Sequence, residues 1–200
     1  MSRMSGIRQA IVQGFIASSI FIVVAIVATP TMNEIVEDGK SLKILRLYER
    51  LSVACAKHHK DTGKVASEFA SSSESDRRNL KMYHQLSVKQ LYSGWQGPYI
   101  QTPISQSDNP FGGSVELHNN LSTHPALGFE LADGTTAHEG GQYLVLTNIP
   151  EEVAERLDRH LDSSLANGDK LTADWETKGR VEYSQENGGT LSLFILNVPE

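Results

Sequence analysis

The sequence predicts an α+β protein: a long N-terminal α-helix, membrane-spanning in its first half, packed on a small antiparallel β-sheet head. Three observations predict it. Residues 9–33 hold no charged side chain, and apolar residues then recur at three- and four-residue steps through residue 55. Beyond residue 113, short alternating runs are punctuated by Gly, Asn and Pro, as strands are. A chain of 200 residues is one globular unit plus an extra element, which excludes a large multi-domain enzyme.

The first element is the uncharged segment, whose core is the apolar run 15–29. About 20 such residues at about 1.5 Å rise cross the hydrocarbon core as a helix. Arg3 and Arg8 precede it and Glu34 is the first acid after it, so residues 1–8 stay cytoplasmic. The chain is then single-pass, with its head on the outer side of the membrane. That outer part holds 16 of the 18 bases and all 24 acids, a net charge of −8 against −6 for the whole chain. A cleaved signal peptide is the rival, but Pro30 beside Ala28 and Thr29 suits cleavage poorly, which favours an uncleaved or specially processed anchor. Within the segment Ala17, Ser18, Ser19, Ala25 and Ala28 are small enough for close helix approach, and Gln13 and the serines can hydrogen-bond between helices. Pro30 can kink this helix without ending it.

Residues 34–60 form the amphipathic outer half, with one apolar row through Ile35, Leu42, Leu45, Tyr48, Leu51 and Cys55 and a second through Ile44, Leu47 and Ala54. Asp38-Gly39 is its weakest point. Residues 61–200 form the head. Asp61-Thr-Gly63 stops the helix, 71–76 is a polar loop, and 77–91 holds a short helix. Gly94, Gly97-Pro98, Pro103, Pro110 and Gly112-Gly113 then mark a long pinned loop. Strands are expected at 114–118, 128–131 and 142–148, the last with Tyr143, Val145 and Thr147 on one face. Pro150 opens a helix whose buried stripe is Val153, Leu157 and Leu161, with Glu151 and Glu152 suiting its N-terminus. Runs 179–184 and 190–196 flank Asn187-Gly-Gly189, a hairpin signal. Leu45, Tyr48 and Leu51 should lie on the sheet, since strands with one apolar face need cover.

A long helix ending in Asp61-Thr-Gly63, followed at a distance by Gly94-Trp-Gln-Gly-Pro-Tyr-Ile100, resembles the type II secretion pseudopilins and related type IV pilin-like proteins. In the major pseudopilins an Asp-x-Gly turn follows the helix, and Gly-Trp-x-Gly-Pro-Tyr leads to an Asp-Pro-Trp-Gly loop. Asp108-Asn-Pro-Phe-Gly112 is similar to that loop, with one inserted residue and Phe for Trp. The family-like loop residues are therefore Asp61, Gly63, Gly94, Trp95, Gly97, Pro98, Tyr99, Asp108, Pro110 and Gly112. The stretch 146–153, Leu157-Asp158 and Gly179-Arg180-Val181 resemble the C-terminal pattern of some pilin-like proteins. The resemblance spans nearly the whole chain. It implies a pilin-like head and a non-enzymatic subunit of a secretion or pilus-type filament. The implied partners are further copies of itself, other pilin-like subunits, the inner-membrane assembly platform and the lipid bilayer.

The N-terminus departs from the family, which has a basic leader, a Gly, then Phe-Thr-Leu-Ile-Glu. Cleavage at Gly14 would put Ser19 in the glutamate's place; counting back from Pro30 instead aligns Ala10-Ile-Val-Gln13 with Thr-Leu-Ile-Glu and puts Arg8 where the leader Gly belongs. Gly6 is a third cut. The glutamate's charge in lipid is matched to the new terminal amine, so Gln13 and a missing leader site together fit an uncleaved protein. Gln13 as a tolerated interfacial residue is the alternative.

Net acidity and the lack of a Lys/Arg run exclude nucleic acid as a partner. Cys55, the only cysteine, excludes an intrachain disulfide and a thiolate zinc cluster. Of the seven histidines, adjacent His58 and His59 face different directions, and His124, His138 and Glu139 have no known ligand spacing, so surface histidines are expected. Calcium comes with the resemblance, but no ligand loop matches; Asp108 and Asp133 are only conceivable oxygens, and no metal ligand or cofactor is assigned. Esterase, zinc-protease and phosphate-loop motifs are missing, so no catalysis is expected. Asp158 and Asp162 with Glu151 and Glu155 read as the solvated side of a helix, with Glu155 and Arg159 an i,i+4 pair. Trp95 and Tyr99 read as anchors of the loop on the long helix. The other reading is a membrane-anchored periplasmic ligand- or metal-binding module that does not polymerise. Missing processing signals favour that module, and the long amphipathic half-helix favours assembly.

Overall fold

A five-stranded antiparallel sheet in the order β1-β2-β5-β7-β6 carries the core. The computed structural model describes residues 39–70, 83–125, 128–131, 135–137, 140–162 and 175–197. Helix α1 (39–62) is followed by β1 (Glu68–Ala70), β2 (Val115–Asn120), β3 (Phe129–Glu130), β4 (Thr136–Ala137), β5 (Gly140–Leu146), helix α2 (Glu151–Leu161), β6 (Val181–Ser184) and β7 (Thr190–Asn197). The architecture is α+β, and residues 40–200 form one compact unit. Among the described residues no helix is long and apolar enough to cross a membrane. The uncharged segment, with Gln13, Ala17, Ser18, Ser19, Ala25, Ala28 and Pro30, lies outside the described residues, as does the 71–76 loop.

The helical period of α1 places Ile44, Leu47, Tyr48, Leu51, Ala54 and Cys55 on one face, and all are buried in a core shared with Val115, Leu117, Leu144, Leu146, Leu191 and Leu193. The Tyr48 hydroxyl donates to the Phe194 carbonyl at 2.8 Å, fixing the helix over β7. Ladder pairing sets one inward row across four strands, Val181, Leu193, Leu144 and Leu117. Pro150 is the N-cap of α2, whose Val153, Ala154 and Leu157 join the same core. The opposite sheet face carries a smaller cluster of Leu121, Phe129, Ala137 and Tyr143. Tyr143 and Val145 therefore face away from α1, whereas Gln142, Leu144 and Leu146 are fully buried. The terminal hairpin forms as expected, with Asn187, Gly188 and Gly189 all at positive φ.

Within 77–91, Tyr83 is helical and residues 84–91 are a bridge and turn, because buried Glu68 draws its donors from there: Nδ1 of His84 at 3.0 Å, the Leu86 N–H at 3.0 Å and the Ser87 hydroxyl. Two expectations are corrected. Surface histidines fail for His58, His84 and His124, which are buried and bonded to neighbours. Asp158 and Asp162 are not solvated: the end of α2 packs against the approach to β6, where Asp162 Oδ2 accepts the N–H groups of Arg180 (2.7 Å) and Val181 (3.1 Å). Glu155 and Arg159 do pair, at 3.2 Å. Burial, reinforced by neighbouring Asp162, pushes Asp158 up to about 6.

Two predictions follow from this packing. Leu51→Asp places an unpaired carboxylate in the core and should cost at least about 4 kcal/mol in chemical unfolding. Asp158 has a folded value above its ordinary 3.8, so its contribution to stability is intact below about pH 4 and is lost as pH rises to about 6. Asp158→Asn should flatten that part of the stability profile and add about 1–2 kcal/mol at pH 7, a modest gain because the group is only partly desolvated.

Candidate functional site

The C-terminal turn of α1 and the 92–100 loop form one interlocked unit. Gly63 adopts φ +67 and its N–H bonds to the His59 carbonyl at 2.7 Å, the left-handed stop that Asp61-Thr-Gly63 predicts. Gly94 adopts φ +83 with its Cα against the Asp61 carbonyl, so that any Cβ there would collide with helix backbone. Tyr99 closes the contact: its hydroxyl accepts the Gln96 N–H at 3.0 Å and stands near enough to the Asp61 carboxylate to feel its charge, while its ring meets His58 edge-on at 5.2 Å. Trp95 packs on Tyr99 with ring centroids 5.7 Å apart and donates to the Gln85 carbonyl at 3.1 Å. Gly97 lies under the Trp95 ring, and the Gly97-Pro98 peptide is cis. Tyr99 thus packs on the helix, as expected, whereas Trp95 reaches Tyr99 and Gln85 rather than the helix.

His58 organises the underside. Its Nδ1 lies 3.0 Å from the Lys64 carbonyl and must donate; Nε2, 2.6 Å from the Tyr92 hydroxyl, then accepts in the neutral ring. Burial lowers the His58 value, consistent with that neutral tautomer, and burial pushes Tyr92 up to about 12. Sequence reasoning missed this role although the signal was present, since His58 continues the buried row of Leu51, Ala54 and Cys55 at helical steps.

The second part of the family-like loop lies along α1. Asp108 Oδ2 accepts the Ser105 N–H at 2.8 Å, and its other oxygen is 3.5 Å from Nη2 of Arg50. Lys43 Nζ reaches the Ser107 carbonyl at 2.6 Å and Lys40 Nζ sits 4.5 Å above the Phe111 ring. Pro110 is half-buried, and Gly112 adopts φ +81 with its N–H bonded to the Asn109 carbonyl at 3.2 Å. Asn109 spans this turn and the end of β5, donating to the Thr147 carbonyl at 2.8 Å. Asp108 thus holds the turn and a helix arginine. Asp133, His138 and Glu139 lie outside the described residues, and among those described no three His, Cys, Asp or Glu side chains are grouped to hold a metal ion. His124 pairs with Glu182, 58 residues later, at 3.3 Å.

The unit acts as a clamp between helix end and head. Gly94→Ala should cost about 2–4 kcal/mol, combining unfavourable φ with a backbone collision, and should change the Trp95 fluorescence before global unfolding. Gly63→Ala, with open space around the position, should cost only about 1 kcal/mol.

No family model, no curated protein and no solved structure matches this chain.

Proposed function

We propose that the chain is a membrane-anchored, pilin-like subunit that works by assembly with further copies of itself and performs no catalysis. One observation carries the reading: the face of α1 turned away from the core is built to meet another surface. Val53 is 71% exposed and Leu42 44% exposed on it. Around them stand Lys43, Arg46, Arg50, Lys57 and Lys60, all exposed, and Lys43, Arg46 and Arg50 line a shallow groove of about 240 Å³ with Asp108. Residues 39–62 carry six bases and two acids, a net +4, whereas residues 63–200 carry ten bases and nineteen acids, a net −9. A helix stripe of one sign beside a head of the other gives neighbouring copies complementary surfaces. The close approach of Gly94 to the Asp61 carbonyl supports the same reading, because it joins the two sequence motifs on which the resemblance to pseudopilins rests.

Such subunits meet head to tail, so a residue need not touch its own copy. A photocrosslinking amino acid at position 42, 46 or 53 of the full chain in native membranes should give a ladder of oligomers, and the same probe at exposed Glu186 should give little. The yield should fall as salt rises from about 50 to 500 mM, where screening shortens from over 10 Å to about 4 Å. Only monomeric products from all three helix positions would remove the assembly reading and leave the anchored binding module.

A further inference from the structure

On the sheet face opposite α1, ladder pairing aligns Glu182 of β6 with Ser192 of β7 and Val145 of β5. Glu182 is 6% exposed and His124 4% exposed, with Oε2 of the acid 3.3 Å from Nε2 of the ring. The other oxygen, Oε1, is buried with no hydrogen-bond partner among the described residues. A buried carboxyl oxygen left without a donor costs about 1–3 kcal/mol or more, so its retention calls for an explanation. Glu182 and His124 line a cavity of about 200 Å³ whose wall also carries Glu176, Ser184, Glu186 and Thr190. Glu130 stands close enough to act on Glu182 and is itself 3.7 Å from Lys178; His118 lies beside His124, and the facing β7 residue, Ser192, is uncharged. Its polar groups are acids and hydroxyls, set in a lining whose larger share is apolar.

We propose that this cavity binds the ammonium group of a small primary amine, with the Glu182 carboxylate, turned about its terminal bond to present the unpaired oxygen, as the anchoring acceptor. This site is separate from the α1 surface and from the assembly reading. An ammonium is a compact charge with three donors, which a carboxylate oxygen and neighbouring hydroxyl oxygens can accept. A guanidinium would want both carboxylate oxygens for a fork, and Oε2 is committed to His124. A quaternary ammonium would want a cage of aromatic faces, and Tyr183 is the one aromatic carbocycle in the lining. A metal ion would need three or more converging ligands, a grouping not present among the described residues. The volume falls below the roughly 300–1,000 Å³ of drug-sized sites and suits few heavy atoms.

The protonation of the pair supplies a signature. Burial, with Glu130 nearby, pushes Glu182 up to about 8, and burial takes His124 down to about 4. The empty site at neutral pH therefore holds a proton on Glu182 facing a neutral imidazole. A carboxyl whose folded value is raised contributes its full stability below about pH 4.5 and loses it as pH rises through about 8. An ammonium needs the ionised form, so binding displaces a proton and tightens with pH up to about 8.

Titration calorimetry of the full chain in detergent with n-butylammonium chloride, in two buffers of different ionisation enthalpy, tests this. Expected are release of about one proton at pH 6–7 and a roughly fiftyfold gain in affinity from pH 6 to pH 8, as the competent fraction grows. Glu182→Gln should weaken binding at least tenfold, and tetramethylammonium, with equal charge and no donors, should bind at least tenfold more weakly than n-butylammonium. No heat of binding at 100 mM amine, binding without proton release, equal binding of tetramethylammonium, or tighter binding of calcium would each overturn the proposal. If Glu182→Gln does not keep the wild-type circular dichroism, the proton count of the unmodified chain decides alone.

Discussion

The head depends on the burial of one face of α1 against the inner face of the sheet. Val115, Leu117, Leu144, Leu146, Leu191 and Leu193 form a continuous apolar surface that water would otherwise touch, and α1 supplies Ile44, Leu47, Tyr48, Leu51, Ala54 and Cys55 over it. At about 1.5–3 kcal/mol for each large buried side chain, the α1 side alone contributes on the order of 10 kcal/mol, as much as the net stability of an ordinary domain. A helix with such a role cannot also present its apolar stripe to another subunit. Any contact that α1 makes with another subunit must use its remaining face, where charge stands in for area.

The clamp at the helix end follows from the same constraint. A helix held only by apolar contacts can slide along a sheet at small cost, because side chains of similar volume exchange places. Directional contacts remove that freedom. Tyr48 bonds to β7 in the middle of α1, and the His58–Tyr92 bond and the close approach of Gly94 to the Asp61 carbonyl lock the last turn to the 92–100 loop. That loop is in turn tied to the sheet edge, since Tyr99 N–H bonds the Leu86 carbonyl at 2.8 Å and Leu86 N–H bonds Glu68 of β1. Helix register and the covered edge strand are set by one chain of hydrogen bonds.

What the sequence disclosed is what repeats locally. The period of α1, the Pro150 start of α2, the Gly63 stop and the Asn187-Gly-Gly turn each declare themselves within a few residues, and each is present. Tyr99 was legible as an anchor because flanking Gly and Pro leave an aromatic ring little else to do. Strands β1 and β4 were not legible: three and two residues long, they exist only because a partner strand pairs with them. Glu68 even occupies the inward row beside Leu117, where an acid contradicts the alternation that marks a strand. Asp158 and Asp162 misled for the same reason, since only the fold brings Arg180 and Val181 to Asp162. His124 and Glu182 belong to segments joined by pairing, and no spacing announces them.

The buried carboxylates rank themselves by how fully they are satisfied. Glu68 accepts from an imidazole, a hydroxyl and a backbone N–H, spending both oxygens on the edge strand and the turn beyond it. Asp162 accepts two backbone N–H groups and fixes the entry to β6. Each would leave stranded donors if removed, which accounts for a polar group inside an apolar core without any appeal to a ligand. Glu182 differs, because its ion-pair contact is to His124 and its second, buried oxygen has no hydrogen-bond partner among the described residues, although the residue borders a cavity that a solute can enter. Glu182 is thus a buried acid whose chemistry the fold leaves in part unused.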